Sequence, residues 1–490
     1  MSFPSSPSPP SPPSQAPTEL VPTTDELLRQ CPKLRILVLG KSGAGKSSLI
    51  NRVFGVGVDV ANVEHGKRGK HDINTPLKWP GNKHFILHDS QGFESGEKQN
   101  LQTVLDFIEK RSKMDALQDQ LHAIWLCIAI PSSNGRVFEA GDERLLKDVD
   151  GTVPIFVVFT KLDGLYTSLE TELMDENEAD SIDMSEEEFK EVIDQSLNDQ
   201  VQKLCVAPLR DIKPHAQWAT VSVRPLLEER KTIEDFVSNV LKNLPEKVWL
   251  TWATAQRANA SENIKASIVV GRKKYWRGLL SDIFVGFSMK KCLGVLCKDI
   301  LRVWNMNDPD GHLRGPEFAA LVSIIVQDLD DTNPTEYTWT KHALRAAENH
   351  PAAVIYAAPA AAVIFFAEWA CITFKKSKNS LRCLMGFIVD LTLTLDTVFW
   401  LTQRAPVTRR SINTALKMYN SRKGPIHFSI KTWVDELGPL EHRKSDYVIE
   451  KIEELIGEHR FDPEGRAREG TQGADEAWLD PQELWSAPER

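Results

Sequence analysis

The chain has 490 residues, 41% hydrophobic and 26% charged, which excludes a wholly disordered or fibrous protein and suggests several domains. Its 59 Lys and Arg against 68 Asp and Glu leave a net charge of −9, so nucleic acid is not an expected partner. Seven Cys with no C-x-x-C pair speak against a disulfide framework or a zinc module, and the N-terminus lacks the basic-then-apolar pattern of a secretion signal. A reducing, cytoplasmic setting is the default expectation.

Residues 1–22 hold eight of the 28 prolines, interleaved with Ser, and predict a disordered tail that runs to about residue 30. Leu34 to Leu39 is an apolar run read as a buried strand, and Lys46 to Phe54 follows as a helix. Ile73 to Trp79 and His84 to His88 flank Pro80-Gly81-Asn82 and read as a hairpin. Leu101 to Lys113 reads as a helix, His122 to Ile130 and Val153 to Phe159 as strands with a helix between them, and Trp218 to Val221 as a last strand. Thr232 is expected to cap a helix that ends near Leu244. This order predicts an α/β domain over 31–245, a mostly parallel sheet with one antiparallel strand and helices on both faces. Residues 170–199 carry thirteen Asp or Glu and one Lys, and predict a solvated acidic loop running into a surface helix from Glu186 to Leu204; docking of a basic partner is the alternative.

An all-helical region is expected over 246–440. It contains two apolar stretches, Ala352 to Phe374 and Leu381 to Thr402, joined by Lys375, Lys376 and Lys378. A hairpin buried in a helical core is preferred to membrane insertion, because Asp390 and Asp396 would be costly inside a bilayer. Met306 to Glu317 has Asp308, Asp310, Gly311 and Glu317 at calcium-loop spacing, but Met306 stands at the first ligand position; a polar turn is preferred. Arg272, Lys273, Lys274 and Arg277 near Tyr275 and Trp276 read as a solvated helix face, with phosphate or lipid contact as the alternative. From 441 the sequence becomes a polar tail, Gly- and charge-rich toward its end.

The chemistry concentrates in three boxes. Gly40-Lys41-Ser42-Gly43-Ala44-Gly45-Lys46-Ser47, with Ser48 beyond it, fits G-x-x-x-x-G-K-[ST] between a strand and a helix. Glycines let backbone amides close on phosphate oxygens, Lys46 brings a cation, the Ser47 hydroxyl suits Mg2+, and the helix dipole favours the anion. Asp89-Ser90-Gln91-Gly92 follows the second hairpin strand and resembles the D-x-x-G box of GTPases, in which Asp89 would hold Mg2+ and the Gly92 amide would sense the γ-phosphate. Thr160-Lys161-Leu162-Asp163 follows a third strand and resembles the guanine box N-K-x-D, with Thr in place of Asn. A carboxylate at Asp163 can accept both donors on one guanine edge, which adenine lacks. Ser222, after the last strand, fits the weak fifth box.

These boxes, with Leu49-Ile50-Asn51, resemble P-loop GTPases of the translation-factor-related class, near the Era-like, septin-like and immunity-associated (GIMAP) branches, over about residues 33–245. His88-Asp89-Ser90-Gln91-Gly92-Phe93 and Tyr275-Trp276 also resemble fungal G-domain proteins with a helical C-terminal region. The resemblance implies GTP or GDP as ligand with Mg2+, catalysis through Lys46 and Gln91, and a protein partner or self-association through the switch regions. Two departures stand out. No Ser or Thr occurs from Gly55 to Asn74, Thr75 lies only fourteen residues before Asp89 within the expected hairpin strand, and Asp59, Asn62, Glu64 or Asp72 are the candidate substitutes. Phe93 follows Gly92 where many small GTPases place the water-orienting Gln. The expectation is a slow GTPase acting as a switch, with a non-hydrolysing nucleotide-binding scaffold or a membrane-associated GTPase as alternatives.

Overall fold

The computed structural model describes residues 23–56, 72–89, 98–131, 135–180, 185–222, 227–273, 287–329, 377–403, 405–437, 445–462 and 476–480. Among them, six strands form one sheet: β1 (Leu34–Leu39), β2 (Leu77–Trp79), β3 (Asn82–Asp89), β4 (Ala123–Ala129), β5 (Ile155–Thr160) and β6 (Gln217–Thr220), in the order β2-β3-β1-β4-β5-β6. The β2–β3 pair is antiparallel and every other pair is parallel. β1 and β5 are buried at every position, as a sheet covered on both faces requires.

Alternation along the strands assigns the two faces. Ile36, Val38, Phe85, Trp125 and Phe156 face α2 (Lys46–Phe54) and the helix Leu227–Asn243. Leu37, Leu39, Ile124, Leu126 and Val157 face the helices Lys98–Ser112 and Ala140–Asp148 and the elements that follow β5. Strand order is the expected one, and the helices differ before β1 and between β5 and β6.

Several boundaries differ, each for a local reason. A helix, α1 (Thr23–Gln30), occupies the end of the expected tail: Thr24 bonds Asp299 and Asp25 pairs with Arg302. β2 is only three residues long because Asp72 accepts from the Asn74 backbone N–H (2.9 Å) and the Thr75 N–H bonds the Asp72 carbonyl (2.8 Å). Thr75 therefore sits in a turn. The start of the acidic insertion is a helix, Leu162–Asp180, and not a loop; the helix Glu186–Val201 follows, opened by a Ser185–Glu188 capping box, then a π-helical stretch Gln202–Val206 and a short helix Ala207–Ile212. Thr232 lies inside Leu227–Asn243, and its hydroxyl accepts from the Ser222 N–H (3.3 Å) instead of capping the helix.

The expected boundary at 245 falls inside a core. Helix α9 (Trp249–Ala255), which follows α8 (Leu227–Asn243), buries Trp252 against Phe54, Trp125 and the sheet-facing cluster. Beyond it come α10 (Ala260–Lys273), α11 (Phe287–Trp304), α12 (Pro316–Val326), α13 (Ser377–Thr402), α14 (Arg409–Asn420), α15 (Lys423–Glu436) and α16 (Ser445–Glu458). The last is a packed helix where a polar tail was expected; Val448, Ile452 and Leu455 are buried.

α13 is the axis of the helical unit. The stretch Leu381–Thr402 is long and apolar enough to cross a bilayer, yet 89% of its apolar window is buried inside the protein. Its carboxylates have partners there. Asp390 meets His427 (3.1 Å) and Tyr419, and Asp396 accepts from Trp400 and the Phe461 N–H (3.1 Å each). Ala352 to Phe374 and its link to α13 lie outside the described residues, as do Lys274, Tyr275, Trp276 and Arg277. The calcium-like segment is a polar turn: both Asp308 oxygens accept backbone N–H groups, from His312 (2.9 Å) and Leu313 (3.1 Å).

Candidate functional site

β1 ends at Leu39 and the chain turns at once into the glycine loop. Gly40 lies at φ 136°, where an added Cβ would run into the Cys127 carbonyl oxygen of β4. Gly43 and Gly45 are left-handed at φ 74° and 80°. Gly45 is the N-cap of α2 and offers no capping side chain, so the first amides of α2 point toward whatever sits in the loop. The Lys46 ammonium folds back over the loop and donates to the carbonyls of Gly40 (2.6 Å) and Lys41 (3.1 Å). Ser47 and Ser48 occupy the first turn of α2, half-buried. Lys41 turns outward to pair with Glu139, and Ser42 is exposed.

Pairing brings the other boxes to the same edge. Val38 is in register with Asp89, so the last residue of β3 lies beside the start of the loop. Ala129 is in register with Thr160, the last residue of β5. The Thr160 hydroxyl, 1% exposed, donates to the Ala44 carbonyl (2.8 Å). Thr thus ties the third box to the glycine loop, and the added Cβ of a residue at 45 would meet that same Thr side chain. Lys161 takes a left-handed φ of 61°, the backbone reverses, and Asp163 falls in the first turn of the helix Leu162–Asp180, α5. The Ser222 hydroxyl lies 3.5 Å from Asp163 Oδ1. Gly40 to Ser48, Asp89, Thr160, Lys161, Asp163 and Ser222 therefore share the C-terminal edge of the parallel strands, where ligands of open α/β sheets sit. Gln91 and Gly92 lie outside the described residues, as do Asp59, Asn62 and Glu64. Asp72 is committed to its turn with Asn74 and Thr75.

Sequence reasoning passed over His88 as an element of its own. It is fully buried one residue before Asp89, and burial, helped by the neighbouring Arg35 charge, drops its pKa to about 4. Arg35 can only donate, so His88 Nε2 accepts from it (2.8 Å) and Nδ1–H donates to the Ile73 carbonyl (2.7 Å). A histidine inside an apolar strand directly before a chemical box was the available signal.

The donors at this edge are hard oxygens, the Ser47 hydroxyl and the Asp89 carboxylate, which fit Mg2+ better than a soft metal. Among the described residues no group of three or more His, Cys, Asp or Glu forms a metal site made of protein alone, and a site of this kind is completed by phosphate and water.

A family model described as 50S ribosome-binding GTPase matches residues 35–161, and one described as a domain of unknown function (DUF8505) matches residues 312–470. GTPase Der of Syntrophotalea carbinolica is 34% identical over 107 residues, 22% of this chain and 23% of that protein, so the chain spans about a quarter of that relative's length. A crystal structure of an S. thermophilus NFeoB mutant bound to GDP is 12% identical, with 69% of this chain and 99% of that one covered at a TM-score of 0.21. The glycine loop after β1, the one antiparallel edge of a parallel sheet and the match over residues 35–161 give this chain the G-domain fold of a P-loop GTPase.

Proposed function

We propose that the chain binds GTP and GDP with Mg2+, hydrolyses GTP slowly and acts as a nucleotide-dependent switch. The observation that carries this reading is the bond from Thr160 to the Ala44 carbonyl (2.8 Å), because it holds the guanine-type box at a fixed offset from the phosphate loop. Amides of Gly40 to Ser48 would receive the β- and γ-phosphates, and Lys46 would leave the Gly40 and Lys41 carbonyls for phosphate oxygens. Ser47 and Asp89 would hold Mg2+, which supplies neutralisation of the charge that builds on the phosphates. Asp163 would accept both donors of the guanine edge, the Lys161 stem would cover the base, and Ser222 would support Asp163. Gln91 would orient water and the Gly92 amide would sense the γ-phosphate.

Slow turnover follows from the missing hydroxyl: no Ser or Thr occurs from Gly55 to Asn74, Thr75 sits in the turn closed by its N–H on the Asp72 carbonyl, and Asp72 Oδ1 accepts from Asn74. The same feature supports a second reading, a scaffold that binds nucleotide without hydrolysing it. Burial of α13 supports a helical core over membrane insertion of that segment, and among the described residues the buried thiols Cys31, Cys127, Cys205 and Cys297 suit a reducing compartment. A protein partner, or a second copy, would read the switch regions.

The deciding experiment is titration with fluorescent GDP and ATP analogues in Mg2+, repeated on Asp163→Asn. Guanine-selective binding that the substitution abolishes or relaxes is the expected result; equal affinity for both bases, or no binding, would sink the assignment. Single-turnover hydrolysis against Lys46→Ala then separates a slow GTPase from a scaffold.

A further inference from the structure

Arg257 lies between α9 and α10 and is 6% exposed. Its backbone N–H donates to the Val53 carbonyl in the last turn of α2 (2.7 Å). Its guanidinium donates to the Gly81 carbonyl at the β2–β3 turn (2.8 Å) and to the Asn305 carbonyl at the end of α11 (2.6 Å). Asn305 closes α11 at a left-handed φ of 40°, a conformation that Asn tolerates. Its amide donates to Asn82 Oδ1 (3.2 Å) and to the Thr254 carbonyl (2.8 Å). The Asn82 amide, 1% exposed with its residue, donates to the carbonyls of Phe54 (3.1 Å) and Ala255 (2.8 Å). Two residues further on, the Asn307 carbonyl accepts from Val407 (2.7 Å), which ties the same corner to the loop between α13 and α14.

These bonds join two elements to the helical unit at one place. α2 begins with Lys46 and Ser47 at the phosphate loop and ends at this junction; β3 begins at the junction and ends with Asp89. The nine residues of α2 span about 14 Å and the eight of β3 about 26 Å, both as regular, stiff elements. Each side chain expected to hold Mg2+ is thus at the far end of a rod whose other end is bonded to Arg257 or Asn82. The junction is buried, and the acceptors that the Arg257 guanidinium meets among the described residues are neutral oxygens. A desolvated cation in such a place loses much when any one bond is broken, so the junction is a stiff link between α2, β3 and α11. α8 adds a third link, since Arg230 stacks over the Trp400 ring of α13 at 3.2 Å and Asn259 donates to the Glu234 carbonyl (3.1 Å).

We infer that Arg257, Asn82 and Asn305 are positioning residues through which the helical unit sets the preference of the nucleotide site between GDP and GTP. The inference rests on the guanine-nucleotide reading above. The linkage is reciprocal: nucleotide exchange that shifts Ser47 or Asp89 would reset the helical unit through α2 and β3, and a partner bound to the helical unit would change nucleotide affinity by the same factor.

The test uses the full chain carrying Arg257→Met, which keeps the apolar stem, or Asn305→Gly, which keeps the left-handed turn and removes only the bridging amide. Affinities for fluorescent GDP and for a non-hydrolysable GTP analogue are measured in Mg2+ on both variants and on the unaltered chain. The expected result is a change in the GTP-to-GDP affinity ratio of about 5- to 100-fold, in the same direction for both variants. A packing role alone would lower both affinities together and leave the ratio unchanged, and that result overturns the inference. Should Arg257→Met fail to fold, Asn305→Gly decides alone. Absence of guanine-nucleotide binding by the unaltered chain would overturn the underlying reading and this inference with it; tight binding with an unmoved ratio overturns the inference only.

Discussion

Gly40 and Gly43 have the same residue type in one loop and face different surroundings. An added Cβ at Gly40 would collide with the Cys127 carbonyl of the neighbouring strand, whereas at Gly43 it would meet nothing within 4 Å. Gly43→Ala is expected to cost only the left-handed backbone term, roughly 1–2 kcal/mol. Gly40→Ala has to move β1 from β4 or the loop from both, so a larger loss of thermal stability and loss of nucleotide binding are expected, read by melting and titration side by side. Thr160→Val keeps the shape and removes the bond to the Ala44 carbonyl, leaving a buried acceptor unmatched at a cost of about 1–3 kcal/mol. If guanine affinity were unaffected by that change, Thr160 would not be what aligns the base box with the phosphate loop.

At the scale of elements, α13 is the most informative. Its apolar length and its charges conflict in the sequence and are reconciled by packing: the carboxylates face partners from α14 and α15 and from the chain after α16. His427 of α15 lies between Asp390 (3.1 Å) and Asp328 (2.6 Å), with Tyr419 on Asp390 and Lys423 near Asp328 (3.6 Å). Burial opposes the imidazolium, but Asp390 and then Asp328 outweigh it and raise the pKa from 6.5 to about 9. A raised folded-state pKa stabilises the protein fully below the unfolded value near 6.5, and that contribution disappears as pH rises through about 9. Unfolding midpoints in denaturant should therefore fall between those two pH values, and His427→Gln should flatten that slope. Packing is close on the same helix, since an added Cβ at Gly386 would run into the Leu329 side chain. Gly386→Val is expected to destabilise by about 1–3 kcal/mol through overpacking.

Across the whole molecule, the α/β unit and the helical unit are not separable at residue 245. Trp252 is fully buried in the sheet-facing core, and α1 packs Leu28 in a cluster with Leu250, Ala253, Ala266, Val270 and Val303. A chain ending at 245 is expected to aggregate or melt well below the full-length protein, and Trp252→Ala should cost about 3–5 kcal/mol in the intact chain. Calorimetry is expected to show the sheet and the helices unfolding in one coupled transition; two widely separated transitions would refute that coupling.

Local chemistry was legible in the sequence because short-range rules govern it. Glycine spacing marked the phosphate loop, largely apolar runs marked β1 and β5, and the Pro80-Gly81-Asn82 turn marked the hairpin. The first part of the acidic run, expected as a loop, is helical to Asp180; Glu172 and Asp175 are exposed, and apolar periodicity detects so polar a helix poorly. The Asp72 turn shortened β2 through a side chain competing with the ladder, an outcome that an apolar pattern does not contain. Only tertiary structure decided the rest: that Thr160 reaches Ala44, that His88 holds Ile73, that α13 is core, and that Arg257 joins α2 and β3 to α11. Those contacts bridge long stretches of sequence, 176 positions between Arg257 and Gly81, and depend on which buried polar groups find partners once the chain is packed.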